Sequence, residues 1–189
     1  NLMSDKISKE YINELEKLHS KKTFGTASNI PVELIKIIEE RNINSILDFG
    51  SGKENLSNAI KLKYPNITLY SYDPVTSPIE IPTQVDLTFS SDVLEHVEPE
   101  HLDSTLNMLF DITSKFMYHL IACHPAKKTL SDGRNAHLII EDGAWWRPRF
   151  IKSNWDIVFE ETRTSVANTK KIKNLEQSKY VIILKKDNK

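Results

Sequence analysis

The chain has 189 residues, with 25 Lys and Arg against 26 Asp and Glu, a net charge of −1 that argues against a general nucleic-acid binder. Apolar residues make up 39% and charged residues 27%, ordinary for a soluble globular protein, and the length predicts a single domain over 1–189. No apolar run approaches the ~20 residues that span a bilayer, no signal segment opens the sequence, and the one cysteine, Cys123, excludes an internal disulfide, so a cytoplasmic location without a membrane partner is expected.

From Asp5 to Leu18, Ile7, Tyr11, Ile12, Leu15 and Leu18 recur at helical spacing. Phe24-Gly25 and Ser28-Asn29 then break the pattern into a polar loop. Pro31 suits the first turn of a second helix, which carries Val32, Leu34, Ile35, Ile37 and Ile38. These N-terminal helices, within residues 1–40, are expected to cover a site. A strand, Ser45–Asp48, runs into Phe49-Gly50-Ser51-Gly52. A helix over about Asn55–Lys63 follows, with Leu56, Ala59, Ile60 and Leu62 placed inward. The Gly-x-Gly turn permits positive φ and close approach of backbone to a ligand, and the helix start offers unpaired N–H groups. This is a cofactor cradle.

Thr68–Tyr72 is the next strand and ends in Asp73, at the spacing of a strand–helix–strand unit whose acid can reach a ribose hydroxyl. Only 12 residues separate Asp73 from Asp86, and Pro74, Pro78 and Pro82 are among them. That leaves no room for a further crossover. Val85–Ser90 is a strand leading to the corner Asp92-Val93-Leu94-Glu95-His96. Pro99 opens a helix through Leu102, Leu106, Leu109 and Phe110, and Phe116–Cys123 reads as a central strand. His124–Asn135 is loop-like, and Ala136–Ile140 is a short strand or the lip of the site. Ala144 to Ile151 predicts a short helix limited by Pro148. Trp155–Glu161 and Tyr180–Leu184 close the chain as a hairpin across a Lys-rich connection. Strands alternating with helices define an α/β fold with a doubly wound sheet and a C-terminal antiparallel hairpin.

The ordered set Leu47-Asp48-x-Gly50-x-Gly52, Tyr72-Asp73 and Asp92-Val93-Leu94-Glu95-His96 resembles the class I S-adenosylmethionine-dependent methyltransferases. The resemblance implies a Rossmann-like, mostly parallel sheet with its last strand inserted antiparallel between its neighbours. It implies S-adenosylmethionine as cofactor and S-adenosylhomocysteine as product. Asp48 would receive the methionine ammonium, Gly50 and Gly52 would pass beneath methionine and ribose, and Asp73 would accept the ribose hydroxyls. With the third-strand region shortened to about six strands in all, the Pro74–Pro82 loop and the backbone from Ser90 through Ser91 to Asp92 would meet the adenine. The family's third glycine is replaced by Glu54, a favourable charge at a helix N-terminus and a poor neighbour for a dinucleotide pyrophosphate.

Asp92 and His96 fall where the resemblance places residues near the methyl group. The block Leu130-Ser131-Asp132-Gly133-Arg134-Asn135-Ala136-His137, with Leu18-His19, resembles a small bacterial and phage group of methyltransferases sharing an Asp-Gly-Arg-Asn-x-His stretch. Here Arg134 can fork onto an anionic group, and His137 or His96 can act as general base. Equally, Asp132–Arg134 pairing can simply hold the loop, and His96 can be a structural donor. Trp145-Trp146 is expected beside the acceptor. Cys123, His124 and His137 match no zinc spacing, so no metal is expected. The Asn/Asp-Pro-Pro-Tyr/Phe motif of amino-methyltransferases and the Pro-Cys pair of cytosine-5 enzymes are absent. Methyl transfer to an oxygen or nitrogen of a small-molecule acceptor is therefore expected. Arg163–Lys189, with eight basic and two acidic residues, reads first as a solvated hairpin and otherwise as a basic end that draws an anionic acceptor or phosphate. Two readings stay open beside it: another S-adenosylmethionine-using enzyme on the same fold, or a catalytically silent binding module.

Overall fold

Among the described residues six strands form one sheet in the order β2-β1-β3-β4-β6-β5. They are β1 (Ser45–Phe49), β2 (Thr68–Tyr72), β3 (Val85–Ser91), β4 (Thr113–Ala122), β5 (Trp155–Ala167) and β6 (Leu175–Lys186). The computed structural model describes residues 7–20, 29–167 and 175–187. The expected helix start at Asp5, the Phe24-Gly25 and Ser28 breakers, and the centre of the Lys-rich connection lie outside them. The first four strands run parallel, and β6 pairs antiparallel with both β4 and β5. The inserted last strand is therefore as expected.

Period-two alternation divides each central strand between two cores. Phe116, Tyr118, Val181 and Ile183 face one side, with Leu34, Ile37 and Ile38 of α2 (Val32–Glu40) and Leu56 and Ile60 of α3 (Asn55–Lys63). Met117, Ile121, Ile182 and Leu184 face the other, against α4 (Leu102–Ile112) and the short α5 (Gly143–Trp146) with its 3-10 extension Arg147–Phe150. Leu62 is a correction: it is 87% exposed. Two residues beyond Ile60 is a 200° rotation about the helix, so Leu62 points away from the sheet. Ser57, not an apolar residue, fills the third inward position. Ala136–Ile140 forms no strand; Ala136 is buried and Ile140 stands out at the rim.

The edge beyond β2 is trimmed as the proline spacing requires. No helix or strand intervenes between Tyr72 and Val85; the chain turns on an isolated bridge between Asp73 and Ser77. The helix α1 (Lys9–His19) is pinned at its start and at mid-length. Ser8 caps it by accepting from the Tyr11 amide, and its own amide and hydroxyl donate to the Glu98 carboxylate at 2.7 and 2.6 Å. Further along, Glu14 accepts from the Ser131 amide at 2.6 Å. Tyr11, Leu15 and Leu18 then pack on Leu130 and Ala136.

His119 lies fully buried in β4, with Nδ1 2.8 Å from Ser90 Oγ and its ring stacked on Phe150. Burial drops its pKa to about 3. The unfolded chain takes up a proton below about pH 6.5 that the folded chain refuses, so stability is lost as pH falls from there toward 3, by up to ~1.4 kcal/mol per unit. Urea midpoints at pH 7.5 and 5 should therefore show the wild type losing about 2 kcal/mol more than His119→Leu. Equal acid limbs would show that His119 titrates normally.

Candidate active site

The carboxyl ends of β1, β2 and β3 open onto a cavity of about 470 Å³, within the range of small-molecule sites. This is the edge at which open α/β sheets bind ligands, beside the point where strand order reverses. From the sheet come Asp48, Gly50, Gly52, Asp73, Pro74, Ser91 and Asp92. Tyr11, Leu15 and His19 of α1 form one wall, and His96, His124, Lys127, Lys128, Ala136 and His137 another.

The Gly-x-Gly turn is built for close approach. Gly50 has φ +84° and Gly52 φ +53°, and the amides of Gly50 and Ser51 both donate to the Tyr72 carbonyl at 2.8 and 2.9 Å. A Cβ at Gly50 would stand 2.4 Å from both Cγ atoms of Val93. Glu54 takes the left-handed backbone, φ +58°, at the start of α3. A glycine would adopt that conformation without cost, which is the physical content of the missing third glycine.

Asp48 is 3% exposed. Its Oδ2 accepts from the Ser57 hydroxyl at 2.6 Å, and Ser57 accepts in turn from Ser71 at 2.8 Å. Burial pushes its pKa up to about 7, opposed by the Ser57 bond and reinforced by the charges of Asp73 and Glu54. A buried carboxyl so poised ionises readily beside an arriving cation. Asp73 is also buried. Its Oδ1 accepts from the Val75 and Thr76 amides at 3.0 Å and its Oδ2 from the Gly52 amide at 3.1 Å, while His19 Nε2 lies 3.7 Å from Oδ2. Asp73 thus caps its own turn and borders the cavity at once. The Thr76 hydroxyl, donating to the Gly52 carbonyl, ties that turn to the glycine loop.

At the other end Asp92 takes a left-handed backbone, φ +55°, and its Oδ2 accepts from Lys179 Nζ at 2.6 Å. His96 Nδ1 lies 2.6 Å from the Ala136 carbonyl, and His137 Nδ1 lies 2.5 Å from that of His124. The two rings meet edge-on at 4.9 Å. Burial, then the neighbouring His137, lowers His96 to about 4, and burial also lowers His137. Both imidazoles are neutral near pH 7.

Other sequence candidates lie elsewhere. Arg134 is half-exposed and bound to Asp132, with NH2 at 2.7 Å from Oδ2 and Nε at 2.8 Å, and it does not border the cavity. The expectation that Trp145 and Trp146 face the acceptor is corrected. Trp146 is fully buried in the core with Phe150, and Trp145 carries the Arg149 guanidinium on its face. Both rings pack on the core between the sheet and α4. Sequence reasoning passed over Glu95 and Lys179. The first sits in an acidic run that reads as a solvated helix start, and the second in a basic strand end that reads as surface.

Solved structures that share this fold include several methyltransferases. The 1,6-didemethyltoxoflavin-N1-methyltransferase of Burkholderia thailandensis, solved with 1,6-didemethyltoxoflavin and S-adenosylhomocysteine, is 12% identical with a TM-score of 0.57, over 95% of this chain and 90% of its own. Coclaurine N-methyltransferase, solved with N-methylheliamine and S-adenosylhomocysteine, is 12% identical with a TM-score of 0.54, over 98% of this chain and 81% of its own. TehB from Haemophilus influenzae is 13% identical with a TM-score of 0.55, over 91% of this chain and 67% of its own. No family model and no curated protein matches the sequence. The likeness at these identities is one of fold alone, a Rossmann-like α/β fold.

Proposed function

We propose that the cavity binds S-adenosylmethionine and that the protein transfers its methyl group to an oxygen or nitrogen of a small-molecule acceptor. The observation that carries this is the pair of buried carboxylates, Asp48 and Asp73, bordering one cavity with the Gly50–Gly52 turn between them. The residues fit the group. Gly50 lets the turn pass tight against Val93 at the cavity's edge, and Asp48 is a buried acid that an ammonium would ionise. Asp48 would hold the amino-acid end, Gly52 and Asp73 the ribose, and Pro74, Ser91 and Asp92 the adenine side. When bound, the sulfonium supplies an activated methyl group and its own leaving group. The chain's part is to position both reactants and to accept the acceptor's proton. His96 and His137 stand on that wall as neutral imidazoles. Lys127 and Lys128 bring positive charge to the same cavity, while Lys179 is paired with Asp92; this supports an anionic acceptor, with Arg134 reaching it only if released from Asp132. The single-domain reading over 1–189, with α1 as part of the cover, and a cytoplasmic setting belong to this proposal.

Methyl-labelled cofactor incubated with the protein and small-molecule fractions tests it. S-adenosylhomocysteine should accumulate in step with a labelled small molecule. Cofactor consumption without S-adenosylhomocysteine would point to the non-methylating alternative, and binding without turnover on any fraction to a silent module.

Asp73→Asn is informative because an asparagine keeps an oxygen for the Val75 and Thr76 amides, so the turn stands, while its NH2 replaces the oxygen that accepts from the Gly52 amide. It should weaken cofactor binding by about 1–3 kcal/mol, the range for a lost charged hydrogen bond, by calorimetry. Unchanged affinity would remove Asp73 from the ribose contact.

A further inference from the structure

Glu95 is the least expected group in the molecule. It is fully buried, and no side chain among the described residues hydrogen-bonds either carboxylate oxygen. Only the backbone amides of Glu95 itself and of Ala122, with the more distant charge of Lys179, favour its ionised form, and burial and the charge of Asp92 oppose it. Native proteins rarely leave a buried carboxyl without a partner. Beside it stand two histidines. One donor atom each from Glu95, His96 and His137 lies within 4.8 Å of the others, and His137 Nε2 is 3.9 Å from Glu95 Oε1.

The ring tautomers follow from the backbone. A carbonyl oxygen only accepts, so the Ala136 and His124 carbonyls fix the proton on Nδ1 of His96 and His137 respectively. In a neutral imidazole the lone pair then sits on Nε2. An Nδ1–H bound to a backbone carbonyl is the outer-shell arrangement that orients histidines ligating a metal. Ligands about 2.0–2.2 Å from an ion stand roughly 3–3.5 Å from one another, so a modest contraction of this trio completes a coordination face.

We propose that Glu95, His96 and His137 bind a divalent first-row transition cation, of the class of Zn²⁺, Mn²⁺ or Fe²⁺, on the acceptor side of the cavity. Two imidazoles with one carboxylate favour these ions over Mg²⁺ or Ca²⁺, which prefer all-oxygen shells. Three protein ligands leave positions open, and His96 and His137 both border the cavity, so the open positions face it. The use of the ion rests on the methyl-transfer reading; its binding does not. An acceptor hydroxyl bound there releases its proton to solvent near neutral pH. Its oxygen then forms the bond to the methyl carbon as the carbon–sulfur bond breaks and that electron pair passes to sulfur. With an ion bound, His96 and His137 serve as ligands in place of acting as general bases, and the ion makes the nucleophile.

The test is equilibrium dialysis of untagged, chelator-stripped protein against Zn²⁺, Mn²⁺ or anaerobic Fe²⁺, with metal counted per chain and S-adenosylhomocysteine binding measured in parallel. One equivalent of at least one ion is expected, raising the melting temperature of the wild type. Glu95→Gln, which keeps the volume, and His137→Ala should each lose that equivalent at least 10-fold in affinity while retaining S-adenosylhomocysteine binding. Absence of stoichiometric binding by the wild type, or equal binding by both variants, would overturn the site and leave Glu95 a buried neutral acid. Metal binding without S-adenosylhomocysteine binding would overturn the methyl-transfer reading and leave the site standing.

Discussion

His137→Ala is expected to lower turnover on the true acceptor by about 10²–10⁴, the range for removing a group that handles the acceptor's proton, with cofactor affinity nearly unchanged. The separation follows from where the side chain is held. His137 Nδ1 is anchored to the His124 carbonyl, two residues past the end of β4, so a rigid central strand sets the ring's position. Asp48, the glycine turn and Asp73 lie at the ends of β1 and β2, and no hydrogen bond joins them to His137. Steady-state kinetics alongside calorimetry reads the two effects independently. Equal losses of turnover and cofactor affinity would mean that the ring only holds the 124–137 loop in shape.

The second large effect is expected at Gly50. Alanine there keeps φ near +84°, a conformation costing L-residues roughly 1–2 kcal/mol. Its Cβ also drives into Val93, whose two Cγ atoms would be 2.4 Å away, an overpacking of about 1–3 kcal/mol. For a chain of this size the sum lowers the melting temperature by about 4–20 °C. Val93 leads from Asp92 into the turn that carries Glu95 and His96, so displacing it disturbs both halves of the site. Cofactor binding should weaken more than tenfold. Adding Val93→Ala should recover the packing part of the stability and leave the backbone part. A Gly50→Ala protein as stable and as tightly binding as wild type would show that the contact with Val93 does not fix the glycine turn.

The parts of this molecule legible in the sequence are those encoded locally. Ser45–Phe49, the glycine turn and Thr68–Asp73 are adjacent in the chain, and their glycines and terminal carboxylates carry their meaning wherever the rest folds. The trimmed edge was legible because 12 residues with three prolines cannot form a crossover. What could not be read arises from distant packing. The Ile139 amide donates to the Glu95 carbonyl, drawing the 136–140 segment across the Asp92–His96 corner and sealing a carboxylate whose sequence neighbours look solvated. Lys179 reaches Asp92 only because β6 inserts beside β4. Trp145 and Trp146 follow the polar loop closely in sequence, yet the α5 turn sends Trp146 into the core. Helix phase misplaced Leu62 because an apolar residue near a helix end need not follow the buried stripe.

The central claim, that Asp48 and Asp73 hold two ends of one S-adenosyl ligand, is tested most directly by titrating the wild type, Asp48→Asn and Asp73→Asn with S-adenosylhomocysteine and with adenosine in a calorimeter. One site per chain is expected in the wild type. Asp48→Asn should weaken S-adenosylhomocysteine tenfold or more, about 1.4 kcal/mol, and leave adenosine unaffected, whereas Asp73→Asn should weaken both. A folded wild type that binds neither ligand, or variants that bind both as the wild type does, would contradict it.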